Sequence, residues 1–211
     1  MLISDIIAAA RSYTTINGSS FFQPSDELRS VNRAYRDIYE RIVQCDDEFF
    51  VKEVSLDPST FTAVRTGVWE TSLPTDFYDL RNLCGVMGST DIQFLRKDPQ
   101  DIYQGDGYRF FGSNLRLFYI SGYSAFRLEY YPVPVEYAST SEDIVFPPQL
   151  EPLIIAYQMA MDIAKVQNAD ATKHAEEYAR LWKRFELAIK GRDNLRHPKV
   201  ANKYKSTYQG Y

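Results

Sequence analysis

The feature that most constrains this chain is a double change in the spacing of its apolar residues. Leu28, Val31, Tyr35, Ile38 and Ile42 recur at 3-4-3-4 intervals, while Arg29, Arg33, Arg36, Asp37, Glu40 and Arg41 fall elsewhere around the circle, the pattern of an amphipathic helix. Pro24-Ser25-Asp26-Glu27 supplies its start, with Ser25 as N-cap and two acids in the first turn, so a helix is expected over 25–44. From Phe49 to Tyr137 the period shortens to two. Val51–Leu56, Phe61–Trp69, Asp76–Val86, Asp91–Leu95, Tyr108–Phe111, Leu115–Ile120 and Phe126–Tyr131 read as strands. Asp57-Pro58 and Thr66-Gly67 mark turns, and Gly112-Ser113-Asn114 is a hairpin connection.

Beyond an irregular crossover bracketed by Pro132, Pro134, Pro147 and Pro148, helical spacing returns. A core helix is expected over 149–167, apolar around much of its circumference, with Pro152 tolerated in its first turn. Asn168-Ala169-Asp170 turns the chain into a helix over 171–190, whose stripe is Tyr178, Trp182, Phe185 and Ile189 and which Gly191 is placed to stop. Leu2, Ile3, Ile6 and Ile7 predict a short helix over 2–12. The expected fold class is α+β: an antiparallel helical bundle of about four helices, an inserted and mostly antiparallel β region at 49–137, and an extended C-terminal arm at 191–211. Residues 1–190 would form a single domain.

Composition removes several functions. Two cysteines, Cys45 and Cys84, make no disulfide framework and lack the spacing of a zinc site, so free thiols and an intracellular site of folding are expected. His174 and His197 are the only histidines, little material for metal ligation or a Ser-His-Asp arrangement. Neither a signal peptide nor a membrane span is expected, because Asp5 rather than a basic stretch precedes the apolar run at Ile6 and no run approaches the roughly 18 apolar residues a span needs. Tyrosine and phenylalanine are abundant, 16 and 13 against 2 Trp, which suits half-buried surface such as subunit interfaces.

The remaining constellations favour structural readings. Cys45-Asp46-Asp47-Glu48 could face a divalent cation, and a metal-dependent hydrolase on Asp46, Asp47 and Glu48 is one reading, but the alternation and central glycine of a calcium loop are missing and a solvated turn fits better. Asp101 with Asp106 and Glu176 with Glu177 are weaker pairs. Gly85 to Gly88 and Gly105-Asp106-Gly107 read as turns between strands, not phosphate loops. His174 reads as a solvated histidine among Lys173, Glu176 and Glu177, and Tyr178, Trp182 and Phe185 as core. No catalytic residue, metal or cofactor is expected.

The tail is different. The net charge of -4 resolves into +4 over 191–211 and -8 over the rest. Arg192, Arg196, Lys199, Lys203 and Lys205 are interleaved with Tyr204, Tyr208 and Tyr211. That pattern fits an arm ordering on a protein partner, a solvated end, or a nucleic-acid contact through phosphates and base stacking.

Several segments acquire meaning as an ordered set: the helix from Ser25, Leu73-Pro74-Thr75-Asp76-Phe77, Tyr108-Arg109-Phe110-Phe111-Gly112-Ser113-Asn114-Leu115-Arg116-Leu117, Leu128-Glu129-Tyr130-Tyr131-Pro132-Val133-Pro134, Phe146-Pro147-Pro148, and the helix pair to Lys190. In this order the chain resembles the head-to-tail adaptor, or head completion, proteins of tailed bacteriophages. The resemblance implies a non-enzymatic virion protein of the neck, assembled in the host cytoplasm. Twelve copies would form a ring beneath the portal, extending the DNA channel and giving the tail or neck proteins their platform, with genomic DNA passing through the lumen without specific binding. It also implies that the C-terminal arm, with Arg192, Arg196, Lys199, Lys203, Tyr204, Lys205, Tyr208 and Tyr211 as candidate contacts, reaches the portal. A nucleic-acid-binding module using the same tail is the alternative.

Overall fold

Helical periodicity at both ends of the sequence and strand periodicity between them become two sets of elements. The computed structural model describes residues 1–14, 24–45, 48–98, 105–166 and 169–196, with backbone alone at 24–25 and 191–196. Its helices are α1 (Ile3–Tyr13), α2 (Pro24–Gln44), α3 (Leu153–Val166) and α4 (Thr172–Arg196). Its strands are β1 (Lys52–Leu56), β2 (Thr62–Arg65), β3 (Val68–Ser72), β4 (Phe77–Met87), β5 (Thr90–Gln93), β6 (Gly107–Phe111), β7 (Asn114–Phe118) and β8 (Ala125–Pro132). The chain divides into two compact units, Met1–Cys45 with Glu136–Tyr211, and Asp46–Val135.

In the helical unit α3 is the hub. Its Ile154, Ile155, Ala156, Met159, Ala160, Ile163 and Ala164 are buried, and α1, α2 and α4 all pack against it. α1 contributes Ile3, Ile6, Ile7 and Ala10, α2 contributes Val31, Ala34, Tyr35, Ile38, Tyr39 and Ile42, and α4 contributes Leu181, Trp182, Phe185 and Ile189. Glu27, buried on α2, meets Arg11 of α1 at 2.7 Å, so its charge is compensated. The irregular stretch 136–150 belongs to the same core through Tyr137, Ile144, Phe146 and Leu150. Leu2 bridges Asp143 in antiparallel fashion. Asn32 of α2 holds residue 137 by two bonds, donating to the Tyr137 carbonyl and accepting from its N–H, both at 2.9 Å.

The β unit consists of two antiparallel four-stranded sheets, ordered β1-β8-β4-β5 and β2-β3-β7-β6. Leu83, Phe94, Leu115, Leu117, Ile120, Tyr123, Phe126, Leu128 and Tyr130 form its buried core, joined by Val54, Phe61, Trp69, Phe77, Ile92, Tyr108 and Phe110. Phe61–Trp69 turns back at Thr66-Gly67, the expected turn, into β2 and β3. The β6–β7 hairpin turns through Gly112, at φ 62, and Ser113, as a two-residue connection with glycine first requires.

The architecture corrects the expectation of an antiparallel helical bundle with an inserted β region and an extended arm. The fold is α+β, but its strands enclose a core of their own between two sheets instead of decorating a bundle. The helices surround α3, and α1, only 11 residues long, is held by α3 and by the strand-like pairing of its start rather than by a neighbour-to-neighbour bundle. The helix expected to stop at Gly191 runs on to Arg196, because one glycine costs a helix only about 1 kcal/mol. Smaller differences are the start of α2 at Pro24, which leaves Ser25 inside the first turn, and the start of α3 just after Pro152.

Candidate functional site

Residues singled out in the sequence take structural places. Asp76 of the Leu-Pro-Thr-Asp-Phe segment accepts from Lys52 Nζ at 2.6 Å and from the Tyr130 hydroxyl at 2.9 Å, and its carbonyl accepts from the Val133 N–H at 2.7 Å. Lys52 and Tyr130 together hold its carboxyl below the usual aspartate range. The motif is therefore a clamp joining the start of β4 to β1 and β8. Phe77 stacks on Tyr130, with ring centroids 5.7 Å apart.

Glu48 of the acidic cluster is paired with Arg81 at 2.9 Å, and Arg81 also meets Glu129 at 3.2 Å. Asp46 and Asp47 lie outside the described residues, and among the described residues no group of three or more His, Cys, Asp or Glu is arranged to hold a metal. Asp106 accepts a short hydrogen bond from the Tyr123 hydroxyl, and burial followed by that contact pushes Tyr123 up to about 12. Asp101 lies outside the described residues. Glu177 pairs with Arg180 at 2.6 Å.

Two expectations are corrected here. His174 is not simply solvated: it is half-buried and stacks on Tyr13 at 5.9 Å, beside a parallel Tyr13–Tyr157 pair at 4.7 Å. Gly85 is not in a turn but inside β4, where a Cβ would meet Tyr123 Cδ1 at 2.5 Å and Phe94 Cε2 at 2.7 Å. Glycine is there for close approach, not for a bend.

Of the tail candidates, Arg192 and Arg196 fall on the last turns of α4. Lys199, Lys203, Tyr204, Lys205, Tyr208 and Tyr211 lie outside the described residues, as does His197. The part of α4 that leads to them carries exposed Lys183, Arg184 and Lys190 around Leu187, which is 60% exposed. Among the described residues no helix is long and apolar enough to cross a membrane.

The structure adds sites that sequence reasoning missed. Arg41, expected to face outward, lies over the Trp182 ring at 4.1 Å and donates to the Tyr178 hydroxyl at 2.8 Å, a cation held between α2 and α4. On α2, Arg29, Arg33, Arg36 and Asp37 line an open groove of about 510 Å³ whose floor is the Asn32–Tyr137 pair and which Glu136 flanks. In the β unit Arg116 meets Glu70 at 2.5 Å and covers the Phe111 ring at 3.7 Å, with Asn114 donating to Glu70 at 2.8 Å. Arg109 stands directly opposite Arg116. Counting outward from Gly112-Ser113 would have paired those two arginines from sequence alone.

A family model described as SU10 adaptor protein matches residues 1–200 of the chain. No curated protein matches it.

Proposed function

The chain belongs to the SU10 adaptor protein family, and from that premise we propose that this structural phage adaptor forms a ring, of twelve copies, beneath the portal. The ring extends the DNA channel and presents the platform on which tail or neck proteins assemble. Genomic DNA passes through without specific binding, and no reaction is catalysed. The observation that carries the reading is the family match over nearly the full chain.

Contact with the portal is assigned to the C-terminal residues Arg192, Arg196, Lys199, Lys203, Tyr204, Lys205, Tyr208 and Tyr211. In support, the basic character begins before them, at Lys183, Arg184 and Lys190 on α4, and residues 197–211 contain three lysines and no acid. Such a segment pairs with carboxylates and packs its rings on a neighbouring surface. An acidic body suits the channel role too, since a strongly cationic lumen would grip passing phosphates.

The test is deletion of residues 198–211 from the full chain, measured by co-sedimentation with portal-bearing capsids. The truncated chain should fold and fail to join them. Undiminished docking removes Lys199, Lys203, Tyr204, Lys205, Tyr208 and Tyr211 from the assignment, undiminished docking of a chain that also carries Arg192→Glu and Arg196→Glu removes the rest, and failure of the intact chain to associate removes the adaptor ring itself. Tight DNA binding with a steep salt dependence would favour the nucleic-acid reading instead.

A further inference from the structure

Strand register lays out the outward face of the sheet β2-β3-β7-β6 in rows. Thr62, Glu70, Arg116 and Arg109 stand side by side across its four strands, and Ser72, Asn114 and Phe111 form the next row toward the hairpin. Two like charges directly opposite each other destabilise a strand pair. Here one carboxylate answers two guanidinium groups, and it is fully engaged on one side, with Arg116 at 2.5 Å and Asn114 at 2.8 Å. Arg109 is half-buried, lies on the edge strand away from Glu70, and has no ion pair among the described residues. The row reads minus, plus, plus and then ends at β6, the last strand of the sheet, beside which Leu95 and Lys97 bond to Tyr108.

The second half of the feature is aromatic. Arg116 is held flat on the Phe111 ring, so this cation is fixed before any partner arrives. Phe111 itself is 58% exposed. A group that completes the row would bring a carboxylate to the two guanidinium forks and apolar atoms to the open part of the ring.

The chain indicates what that group belongs to. Residues 1–190 carry a net charge of -8, so the body of a second copy offers carboxylates widely, and a cationic spot on an otherwise acidic surface is where two copies attract. At long range this body repels a second copy and a nucleic acid alike, so what favours the copy is local: its carboxylates against the two guanidinium groups and its apolar atoms against the open ring. We infer that Arg109, Arg116 and Phe111 form a contact between copies of this chain, in which a carboxylate of the second copy sits between the two guanidinium groups. The inference rests on the ring proposed above and goes beyond it by assigning the surface.

The experiment is sedimentation velocity of the full chain over a concentration series at about 50 mM and about 300 mM salt, which separates screened from unscreened ion pairs. The intact chain should self-associate, more weakly at the higher salt. Arg109→Glu should weaken association about tenfold or more, since it sets like charges against each other, and Phe111→Ser should weaken it without changing net charge. Lys173→Glu, the same charge change on an exposed residue of α4, should leave it unaltered. Equal association of Arg109→Glu, or equal weakening by Lys173→Glu, overturns the assignment while leaving the ring to be judged by capsid docking. A chain monomeric at every concentration also overturns it, as does a DNA duplex whose binding is abolished by Arg109→Glu. Should Arg109→Glu fail to fold, Arg109→Gln takes its place beside Phe111→Ser: weakened association is again expected, and unchanged association overturns the assignment.

Discussion

Replacing Gly85 by alanine puts a methyl group where the β unit has no room for one. The new Cβ would stand 2.5 and 2.6 Å from Tyr123 Cδ1 and Cε1 and 2.7 Å from Phe94 Cε2, against the roughly 3.5–4.0 Å of ordinary carbon contacts. About 1 Å of relief is needed from two rings at once. Neither is free to give it. Tyr123 is tied to Asp106, and Phe94 packs edge-on against both Tyr123 and Phe126 at 5.1 Å. The strand cannot shift either, because Gly85 is registered against Ile92 on one side and Phe126 on the other. Overpacking a core costs about 1–3 kcal/mol, and two confined rings place Gly85→Ala at about 2–3 kcal/mol. For a unit of about 90 residues that lowers the melting transition by roughly 10–20 °C. Calorimetry of the full chain, with near-ultraviolet dichroism reporting on the tyrosine environment, measures it. Gly88→Ala is the reference: nothing lies within 4 Å of its Cβ, and only the positive φ of 61 opposes it, worth about 1–2 kcal/mol. The reasoning is refuted if Gly85→Ala melts within about 2 °C of the parent, or if its cost is unchanged in a Tyr123→Ala background, where relief of about 1 kcal/mol or more is expected.

Arg41→Met keeps the aliphatic stem and removes the cation over Trp182 and the bond to Tyr178; stability should fall by about 1–2 kcal/mol, with a changed tryptophan emission, and parental behaviour in urea would sink the idea. Among the described residues the buried Tyr35 hydroxyl makes no well-formed hydrogen bond, with the Tyr137 hydroxyl as its polar neighbour, so Tyr35→Phe should melt at or above the parental temperature, by up to about 1 kcal/mol, whereas a clear loss would mean that the hydroxyl is bonded to Tyr137. Asp76 and Glu70 are held below their ordinary ranges, by Lys52 and Tyr130 and by Arg116 respectively. Their stabilisation is therefore present above the unfolded value of about 4 and lost as pH falls through the lower folded values. Urea midpoints of the parent should drop below pH ~4, and Asp76→Asn, less stable at neutral pH, should drop less steeply.

Much of this was legible in residue spacing. The five apolar positions from Leu28 to Ile42, the stripe from Tyr178 to Ile189 and the alternation of β8 each state a period and a buried face, and those faces are buried except at Leu28 and Tyr178, which are half-buried. Hidden features were those that join distant positions. Nothing local in Arg41 distinguishes a solvated cation from one lying on Trp182, because the ring comes from α4. Gly85 beside Gly88 resembles a turn until Phe94 and Tyr123 close over it. The bundle expectation failed for the same reason: periodicity gives each helix its buried face but not its neighbour, so the core role of Tyr137 and Phe146 did not follow from their own segments, whereas the central place of α3 did, from apolar residues around much of its circumference. Gly191 misleads in another way, since a glycine stops a helix only when the chain beyond it turns away.

The two bonds between Asn32 and residue 137 span 105 positions of sequence, and that separation orders events during synthesis. At about 5–20 residues per second, α2 leaves the ribosome about 5–20 s before its partner exists. The strands of Asp46–Val135 find every registered partner within their own segment and can close first. Until then the apolar face of α2 is a surface that needs shielding, and the N-terminal 45 residues reach their final state only when Tyr137, α3 and α4 have been made.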